Sequence, residues 1–460
     1  MGFKNPPACP EEQRHRLEAW VRQLESQPAA GRWAATYEVH LLTPIFGGGV
    51  VSGQPDPELP IRTREVLYQL RFWWRILKIA ELQRRGVPDQ PSQLRKEETE
   101  LFGWRGEKRS RVHAVIERQA TPRSQWMSTW VRRNDPDNDR RLNYALWSSL
   151  TRNKGCSCFR WDKPAFRWRL ELVDSATGQG QQKRELKDAL RWWASFGGLG
   201  ARSRRGMGAV HAVRIMLTEG AERRVLLRPV EDEEATAVGC TLKISLERFD
   251  DPVAALKYGI NKLYEFRQGD PEGRRRRYGR SNWPEPDAIR RLARHWGDGH
   301  APSHLAGDWF PRAAFGLPIQ FQFQGGIDDR GKHPERIKEA YDRDPIDPSD
   351  FEKEPTTTQL VPKNGDHVGD RLASPLILRP RIEADGRYRC VALRLPEPIA
   401  GLEGLTLSLK EMRPSHLRYP LYRAQDVRYW NPAQADQVPP IRRTGETDPL
   451  DAFLEFFSRP

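Results

Sequence analysis

The sequence predicts an α+β protein in which the element order β-α-β-β-α-β occurs twice. Short apolar runs bounded by glycine and proline alternate with two long helical patterns in residues 33–230. A charged stretch at 231–236 has the composition of a linker, and a new strand and helix follow it. This order is that of a ferredoxin-like (RRM-type) sheet with insertions. The sequence therefore predicts two tandem modules, 33–230 and 237–460, after a helical extension at 1–32.

The first module contains the elements of one such unit. Its opening strand, Ala35–Phe46, ends at a run of three glycines, and a long helix follows from Arg62 to Arg85. The remaining predicted elements are extended segments at Arg111–Arg118 and Gln125–Arg132, a strand at Phe166–Val173, a helix at Lys183–Phe196 and a strand at Ala209–Leu217.

The second module begins the same order again and carries an acidic insertion at about 326–368. Ten acidic and six basic residues between Ile327 and Glu354 give this insertion a net negative charge, and its prolines are typical of a mobile loop. The predicted elements are a strand at Thr241–Phe249, a helix at Pro252–Phe266, a strand-like run at Phe315–Gln324, a hairpin of Leu372–Arg379 and Tyr388–Leu395 turned near Asp385 and Gly386, and a helix at Leu450–Phe457.

Length and composition exclude several classes of protein. The 460 residues include 16 tryptophans, 17 phenylalanines and 11 tyrosines, too many for a disordered chain and enough for two or three cores. No window approaches the roughly 18 apolar residues of a membrane span, and the first ten residues lack the apolar core of a secretory signal. The five scattered cysteines do not suggest a disulfide framework. We therefore expect a cytoplasmic protein with no membrane partner.

No motif for a metal or a cofactor stands out. Cys156 and Cys158 form the one close cysteine pair, but their spacing is one residue short of CxxC and no second pair completes a tetrahedral set. The spacing of His295, His300 and His304 matches no common zinc site. We therefore expect neither a metal nor a cofactor.

The chain is strongly basic. Its 76 Lys and Arg residues outnumber 62 Asp and Glu residues, which gives a formal net charge of +14. Such a surplus suits a polyanionic partner, because each Lys or Arg that neutralises a phosphate releases a counterion. The alternative is that the charge serves only solubility. Clustering of the basic residues distinguishes the two interpretations.

The long helix carries basic residues on one face. At about 100° per residue, four of them fall within about 60° of arc. A row of cations one turn apart can follow a phosphate backbone, although such a face can also be solvated and paired with Glu65 and Glu81. The candidate nucleic-acid contacts of this element are Arg62, Arg64, Arg71, Arg75 and Lys78.

A glycine- and arginine-rich loop at 197–208, the Gly/Arg loop, is more specific. Five glycines in twelve residues allow close backbone approach, and their N–H groups can form an anion-binding nest. The loop follows a helix and opens a strand, which is the reverse of the dinucleotide-binding motif. Its candidate polyanion contacts are Gly197, Gly198, Gly200, Arg202, Ser203, Arg204, Arg205 and Gly206.

A second basic patch lies in the second module. Between residues 274 and 294, eight residues are basic and two are acidic, and aromatic residues that could stack on bases are interleaved. A run of arginines can also be a disordered basic loop. The candidate contacts are Arg274, Arg275, Arg276, Arg277, Arg280 and Trp283.

Several segments together resemble a known family. The Gly/Arg loop, read as GGLGARSRRGMGAV between a helix and a strand, resembles that of the RAMP superfamily of CRISPR-associated RNA-binding proteins. Further segments are similar to the first RAMP subunit of the type III-B effector, the Cmr complex: LLTPIFGGG, IRTREVLYQLRFWWRI, ETELFG, RSNWPEPDAIR, FGLPIQF and RLASPLILRP. The resemblance extends with gaps from about Tyr37 to about Pro396.

The resemblance implies two RAMP modules in a complex that holds a guide RNA and captures a complementary target RNA. In such complexes this subunit lies toward the 3′ end of the guide, beside other RAMP subunits, and cleavage belongs to other chains. The implied function is that of a non-catalytic RNA-binding subunit in antiviral defence, and the three groups of candidate residues would contact RNA. The second half lacks an equivalent of the Gly/Arg loop.

Two alternatives remain open. Some RAMP proteins cut RNA with histidine as acid or base, and His40 and His211 lie on strands that are neighbours in a ferredoxin-like sheet. The chain could therefore be a stand-alone endoribonuclease that processes guide RNA. It could also be a structural end-cap whose arginines meet acidic protein surfaces rather than RNA.

Overall fold

The fold is described from a computed structural model of the chain. The structure describes residues 32–47, 56, 58–104, 108–126, 157–161, 164–173, 179–218, 221–269, 280–294, 296, 300–323, 355, 357–365, 367–397, 399–411 and 425–460. All but Arg32 of the predicted helical extension lies outside these residues, as do Arg274–Arg277 and the first part of the acidic insertion.

The first half alternates strands with long helices, as its sequence predicts. Its strands are β1 (Arg32–Leu41), β2 (Ile45–Phe46), β3 (Val112–Gln119), β4 (Arg123–Trp126), β5 (Ser157–Arg160), β6 (Phe166–Val173), β7 (Val210–Thr218) and β8 (Ala221–Leu226). Its helices are α1 (Thr63–Arg84), α2 (Gln90–Phe102) and α3 (Gln179–Phe196). The two predicted long helices are thus confirmed to within a few residues at each end.

A five-stranded antiparallel sheet organises this half. Its strand order is β3-β6-β1-β7-β8, so that β1 lies between β6 and β7 and β8 extends one edge. With α1 between β1 and β3 and α3 between β6 and β7, the chain follows the β-α-β-β-α-β order. Of the segment predicted at Gln125–Arg132, the first two residues end strand β4 of a small second sheet, β2-β5-β4, and the rest lies outside the described residues.

Helices α1 and α3 cover one face of the five-stranded sheet because alternate strand residues are apolar. Tyr37 of β1 and Trp168 of β6 are at most 1% exposed. Trp193 of α3 packs edge-on against Trp168 with ring centroids 6.0 Å apart, and Trp73 of α1 packs against Phe196 of α3 at 5.8 Å. Full burial of each large side chain contributes about 2–3 kcal/mol, so these rings fix both helices on the sheet.

The second half has two sheets. Its elements are α4 (Asp232–Thr236), β9 (Thr241–Ile244), α5 (Pro252–Gln268), α6 (Glu285–Ala293), β10 (Ile319–Phe321), β11 (Thr358–Asn364), β12 (His367–Val368), β13 (Leu376–Ile382), β14 (Tyr388–Arg394), β15 (Thr406–Glu411), β16 (Gln425–Arg428), α7 (Pro439–Arg442) and α8 (Pro449–Ser458). The predicted hairpin is confirmed as β13 and β14. The α+β class predicted for the whole chain is confirmed as well.

The sequence predicts that the second half repeats the sheet of the first half, but its two sheets are arranged differently. Strands β13, β14 and β9 form a three-stranded sheet that contacts α5 and α8. The other sheet has the order β10-β11-β15-β16, with β12 paired to β11. Among the described residues, the three-stranded sheet has no fourth strand, so a complete β-α-β-β-α-β unit is not formed there.

Two segments between these elements differ from the prediction. Residues 231–236, predicted as a linker, form helix α4, because Glu231 and Glu234 make a capping box that satisfies its first N–H groups. The run at Phe315–Gln324, predicted as a strand, consists of the end of a 3₁₀ turn followed by the short strand β10. The end of the predicted acidic insertion forms β11 and β12.

The two halves share their hydrophobic cores. Val391 and Leu393 of β14 belong to the core of the first half, together with Trp73 and Trp193. Met207, from the Gly/Arg loop, belongs to the core of the second half and is fully buried. The boundary predicted between the modules 33–230 and 237–460 therefore does not separate two independent hydrophobic cores.

Candidate nucleic-acid interface

The Gly/Arg loop connects α3 to β7 and lies against the second half. Its centre is a single 3₁₀ turn, Ser203–Arg205, between Arg202 with φ of 62° and Gly206 with φ of 78°. At Gly206 a Cβ atom would lie 2.4 Å from Leu256 and 2.8 Å from the carbonyl oxygen of Leu378. The glycine is thus needed both for its positive φ and for the close approach of the second half.

The backbone N–H groups of this loop bind the protein itself. The N–H of Ala201 donates to the carbonyl of Phe46 at 2.7 Å, and the N–H of Gly208 donates to the carbonyl of Pro44 at 2.8 Å. The N–H of Gly200 donates to the carboxylate of Glu65 on α1. The sequence predicts that the N–H groups of this loop can form an anion-binding nest. These three N–H groups do not fit that prediction, because each already has an acceptor within the chain.

Two arginines of the loop also face polypeptide. Arg204 donates to the carbonyl of Ser374 and lies over the Phe72 ring, 5.6 Å from its centroid. Arg205 donates to the carbonyl of Phe315 at 3.0 Å and to that of Leu376 at 3.3 Å. In the structure these two arginines therefore join the two halves of the molecule, and their contact with RNA stays a prediction.

Arg379 of β13 binds the backbone at both ends of the Gly/Arg loop. Its side chain is fully buried, and it donates to the carbonyl of Gly197 at 2.7 Å and also to those of Val210 and Pro380. Burial, with a smaller effect of Arg381, lowers the pKa of Arg379 to about 9, so the group stays protonated at neutral pH. A buried cation is thus balanced by carbonyl dipoles at both ends of the loop.

The C-terminal part of the basic face of α1 is occupied by acidic partners. Lys78 is 2% exposed, and its ammonium group lies 2.6 to 3.0 Å from three carboxylates, those of Glu81, Glu97 and Glu185. Burial alone would lower the pKa of Lys78, but hydrogen bonds to these carboxylates raise it overall. Lys78 therefore joins α1, α2 and α3 and is not available to RNA.

Arg71 and Arg75 share one carboxylate on α2. Both Nε atoms bond to Oε1 of Glu98, at 2.7 Å for Arg75, and Glu98 is buried. The side chain of Arg75 remains 42% exposed, whereas that of Arg71 is 20% exposed. The basic residues of this part of the helix are thus paired with an acidic residue, which was the alternative to RNA contact. The partner of Arg71 and Arg75 is Glu98 and not Glu65.

The N-terminal turn of α1 is different. Arg64 is exposed and has no ion pair among the described residues, and Tyr68, one turn later, is 59% exposed. Arg62 bonds to Asp56 at 2.6 Å with about half of its side chain in solvent. The bond from Gly200 to Glu65 brings this turn against the Gly/Arg loop. Tyr68 was not singled out by sequence reasoning, although it lies four residues after Arg64.

Arg202 interacts electrostatically with a second cation, Arg371. Burial and the charge of Arg371 lower the pKa of Arg202. Arg371 is exposed, so two like charges are held close together where solvent reaches them. A bound anion would relieve this repulsion.

The second basic patch is mostly engaged in the structure. Trp283 is 2% exposed and packs edge-on against Phe266 at 5.6 Å, so its ring offers no surface on which a base could stack. Arg280 donates to Ser303 at 2.7 Å and to the carbonyl of Ala301 at 2.9 Å. Arg274–Arg277 lie outside the described residues, and their contact with RNA stays a prediction.

His40 and His211 are directly paired in register between β1 and β7. Their ring centroids are 6.1 Å apart. Burial lowers the pKa of both, and for His211 the charges of His40 and Arg379 add to this effect and bring it to about 4. At neutral pH His211 is therefore uncharged, which is the state of a general base and not that of a general acid.

Within the described ranges, no group of three His, Cys, Asp or Glu side chains could hold a metal ion. In the same ranges, none of the helices combines the length and apolar character needed to cross a membrane. Cys158, Cys240 and Cys390 are buried, and none of the three is in a disulfide.

The strand order of the first half, its two covering helices and its glycine-rich loop before β7 define an α+β module of the β-α-β-β-α-β class. The RAMP superfamily model matches residues 38–211, which include these elements. This match agrees with the family resemblance that the motifs in this part of the chain predict. No curated relative matches the sequence significantly.

Three solved structures resemble the chain at low identity. The crystal structure of Cmr1 from Pyrococcus furiosus in its apo form is 15% identical with a TM-score of 0.32, over 85% of this chain and 92% of that one. A chain of the type III-B Cmr-beta structure bound to cognate target RNA is 10% identical with a TM-score of 0.39, over 78% and 94%. A second Cmr-beta structure, also with AMPPnP and single-stranded DNA, is 10% identical with a TM-score of 0.37, over 92% and 98%. TM-scores of this size do not establish a shared fold.

Proposed function

We propose that this chain is a non-catalytic RNA-binding subunit of a type III-B CRISPR effector, which contacts the guide RNA toward its 3′ end and helps to capture complementary target RNA. The observation that carries the proposal is the RAMP-superfamily match over residues 38–211, which hold both α1 and the Gly/Arg loop. The motifs LLTPIFGGG and LRFWWRI support the assignment to the first RAMP subunit of the Cmr complex. Its partners would be guide RNA, target RNA and neighbouring RAMP subunits.

The RNA-contacting surface in this proposal is the N-terminal turn of α1 together with Arg202. Arg62 and Arg64 extend into solvent at the start of the helix, and Tyr68 offers an exposed ring for base stacking. Arg202 and Arg371 add two crowded cations whose repulsion a phosphate would relieve. Such contacts read the backbone and stacking rather than the base sequence.

The proposal assigns no cleavage to this chain. A histidine pair that cuts RNA needs one neutral and one protonated imidazole, and the low pKa of His211 keeps it neutral at pH 7. His40 also has a lowered pKa, because it is buried beside His211. Both imidazoles therefore serve better as packing groups between β1 and β7 than as an acid and a base.

The test is the salt dependence of binding to a labelled single-stranded RNA. We expect the affinity of the purified chain to fall steeply with salt. In the variant R62A/R64A the log–log slope should be smaller by about 0.7 for each phosphate that these two arginines neutralise. The matched control is R84A/R223A, which removes two exposed arginines of α1 and β8 away from this turn. The control should retain the slope of the wild type.

Three results would contradict the proposal. Equal slopes in R62A/R64A and R84A/R223A would remove α1 from the RNA surface. Cleavage of the RNA by the wild type that is abolished in H40A/H211A would favour the endoribonuclease alternative. Absence of RNA binding, together with a stable complex with neighbouring effector subunits, would favour the structural end-cap.

A further inference from the structure

The second half contains a cleft of about 250 Å³ that no part of the proposed RNA surface uses. It lies between the C-terminal end of α5 and helix α7. This volume is below the roughly 300–1,000 Å³ of sites that enclose a drug-sized ligand, so the cleft suits one unit of a polymer. Its lining consists of Glu265, Phe266, Gly269, Asn282, Pro439, Pro440, Arg442 and Arg443.

Two adjacent arginines give the cleft its charge. Arg442 and Arg443 are exposed, and neither makes an ion pair within the described residues. Arg443 lies over the Phe456 ring at 4.5 Å and over the Phe266 ring at 5.7 Å. Partial burial of its guanidinium group against these rings, with a smaller effect of the charge of Arg459, lowers the pKa of Arg443. Glu265 is the one acidic residue of the lining, and the net charge is positive.

The remaining lining suits a planar apolar group with a polar edge. Phe266 is fully buried and held edge-on by Trp283 and Phe453, each 5.6 Å away, so it supports the cleft from beneath and offers no ring face for stacking. Pro439 and Pro440 add further apolar groups to the lining. Asn282 supplies a carboxamide, a group that both donates and accepts hydrogen bonds and can meet a base edge.

We propose that this cleft holds one nucleotide of a single-stranded RNA, with the phosphate at Arg442 and Arg443 and the base in the cleft. Guanidinium groups bind phosphate with two parallel hydrogen bonds and also stack on bases, which fits both arginines. The choice of RNA as the ligand rests on the proposed function, but the site lies in the other half of the chain. The second half thereby gains an RNA contact without an equivalent of the Gly/Arg loop.

The experiment is photocrosslinking of the full chain to single-stranded RNA that carries 4-thiouridine, combined with binding in R442A/R443A. We expect crosslinked peptides that contain residues 439–443 or 282. The affinity should be about tenfold lower in the variant, since it cannot form the charge-assisted hydrogen bonds to phosphate. The charge-retaining variant R442K/R443K should recover part of the affinity, and R84A/R223A should bind like the wild type.

The outcomes separate this proposal from the proposed function. Crosslinks at α1 with none near the cleft, and unchanged affinity in R442A/R443A, would overturn the nucleotide site and leave RNA binding by the first half intact. A wild-type chain that binds and crosslinks no RNA at all would overturn both. If R442A/R443A loses both its affinity for RNA and its native circular dichroism spectrum, the correctly folded R442K/R443K decides the question. Binding weaker than that of the wild type then supports the site, and binding equal to it counts against the site.

Discussion

The N-terminal turn of α1 and the Gly/Arg loop touch each other, yet their arginines face opposite surroundings. Arg64 extends into solvent, whereas Arg204 and Arg205 donate to carbonyl groups of the second half. Glycines beside arginines indicate that a partner, either another part of the backbone or a ligand, lies close to the loop. In this molecule the approaching backbone is that of the chain itself, at Ser374 and Leu376.

The difference assigns separate tasks to the two regions. A carbonyl oxygen and a phosphate oxygen both accept hydrogen bonds from a guanidinium group, so one sequence pattern suits either partner. The loop uses its donors to hold the halves together, and the helix keeps its first arginines for a partner. Substitutions at five positions test this division, beginning with the largest expected loss of stability.

Replacing the buried arginine that fastens the loop should have the largest effect. In Arg379→Met the carbonyls of Gly197 and Val210 lose their donors, and we expect the free energy of unfolding to fall by about 4 kcal/mol. Urea denaturation followed by tryptophan fluorescence measures it. The exposed Arg387, just before β14, provides the control Arg387→Met, which should cost far less. A loss below about 1 kcal/mol in Arg379→Met would show that the loop does not depend on this contact.

Lys78→Met should give the next largest effect. The change leaves three carboxylates without their shared cation, and we expect a loss of about 3 kcal/mol. The same helix supplies the control Arg84→Met, whose side chain is exposed. If both variants unfold at the same urea concentration, the C-terminal part of the α1 face is not structural, and Lys78 becomes a candidate RNA contact again.

The histidine pair should make stability depend on pH. Because the pKa of His211 is lowered to about 4 in the folded chain, the unfolded chain binds its proton first as pH falls. The stabilisation is therefore complete above pH 6.5 and is lost between about pH 6.5 and 4, by about 3 kcal/mol. His40, Arg379 and the Glu38–Arg224 pair are the charged or titratable groups close to this position.

Substitution of His211 separates its contribution to the pH dependence of stability from the contributions of other titrating groups. Unfolding free energies at pH 7 and pH 4.5 should differ less in His211→Gln than in the wild type. The exposed His113 of β3 supplies the control His113→Gln, which should keep the wild-type difference. An unchanged pH dependence in His211→Gln would mean that its imidazole is solvated, and the endoribonuclease alternative would regain support.

The sequence was sufficient for those features that depend on local periodicity. The apolar stripes of α1 and α3 and the alternation in β1 and β6 predict the order of the first half, because each pattern is satisfied within its own element. Helix α4 was missed because a capping box can stabilise a segment whose composition is that of a linker. The second half was predicted less well, since β10 and β11 are distant in sequence and their pairing leaves no local signal.

Predicting the site required knowledge of partners that lie far away along the chain. Glu98 and Glu185, which neutralise the basic face of α1, are 20 or more residues distant from their arginines and lysine. Arg379 lies more than 160 residues from the carbonyls that it binds in the first half. Periodicity identifies which residues share a face, but it does not show whether a second element covers that face.

The smallest effect on stability, and the sharpest test of the comparison, comes from two single variants. Arg204→Ala removes a hydrogen bond to Ser374 and the packing against Phe72, so we expect a loss of about 1 kcal/mol with little change in RNA affinity at a given folded fraction. Arg64→Ala should change stability by less than about 0.5 kcal/mol, because the side chain is exposed, yet weaken RNA binding and lower its salt slope by about 0.7. Denaturation and fluorescence anisotropy on the same preparations measure both. The reverse result, with RNA affinity following Arg204 and not Arg64, would place the RNA contact at the Gly/Arg loop and not at the N-terminal turn of α1.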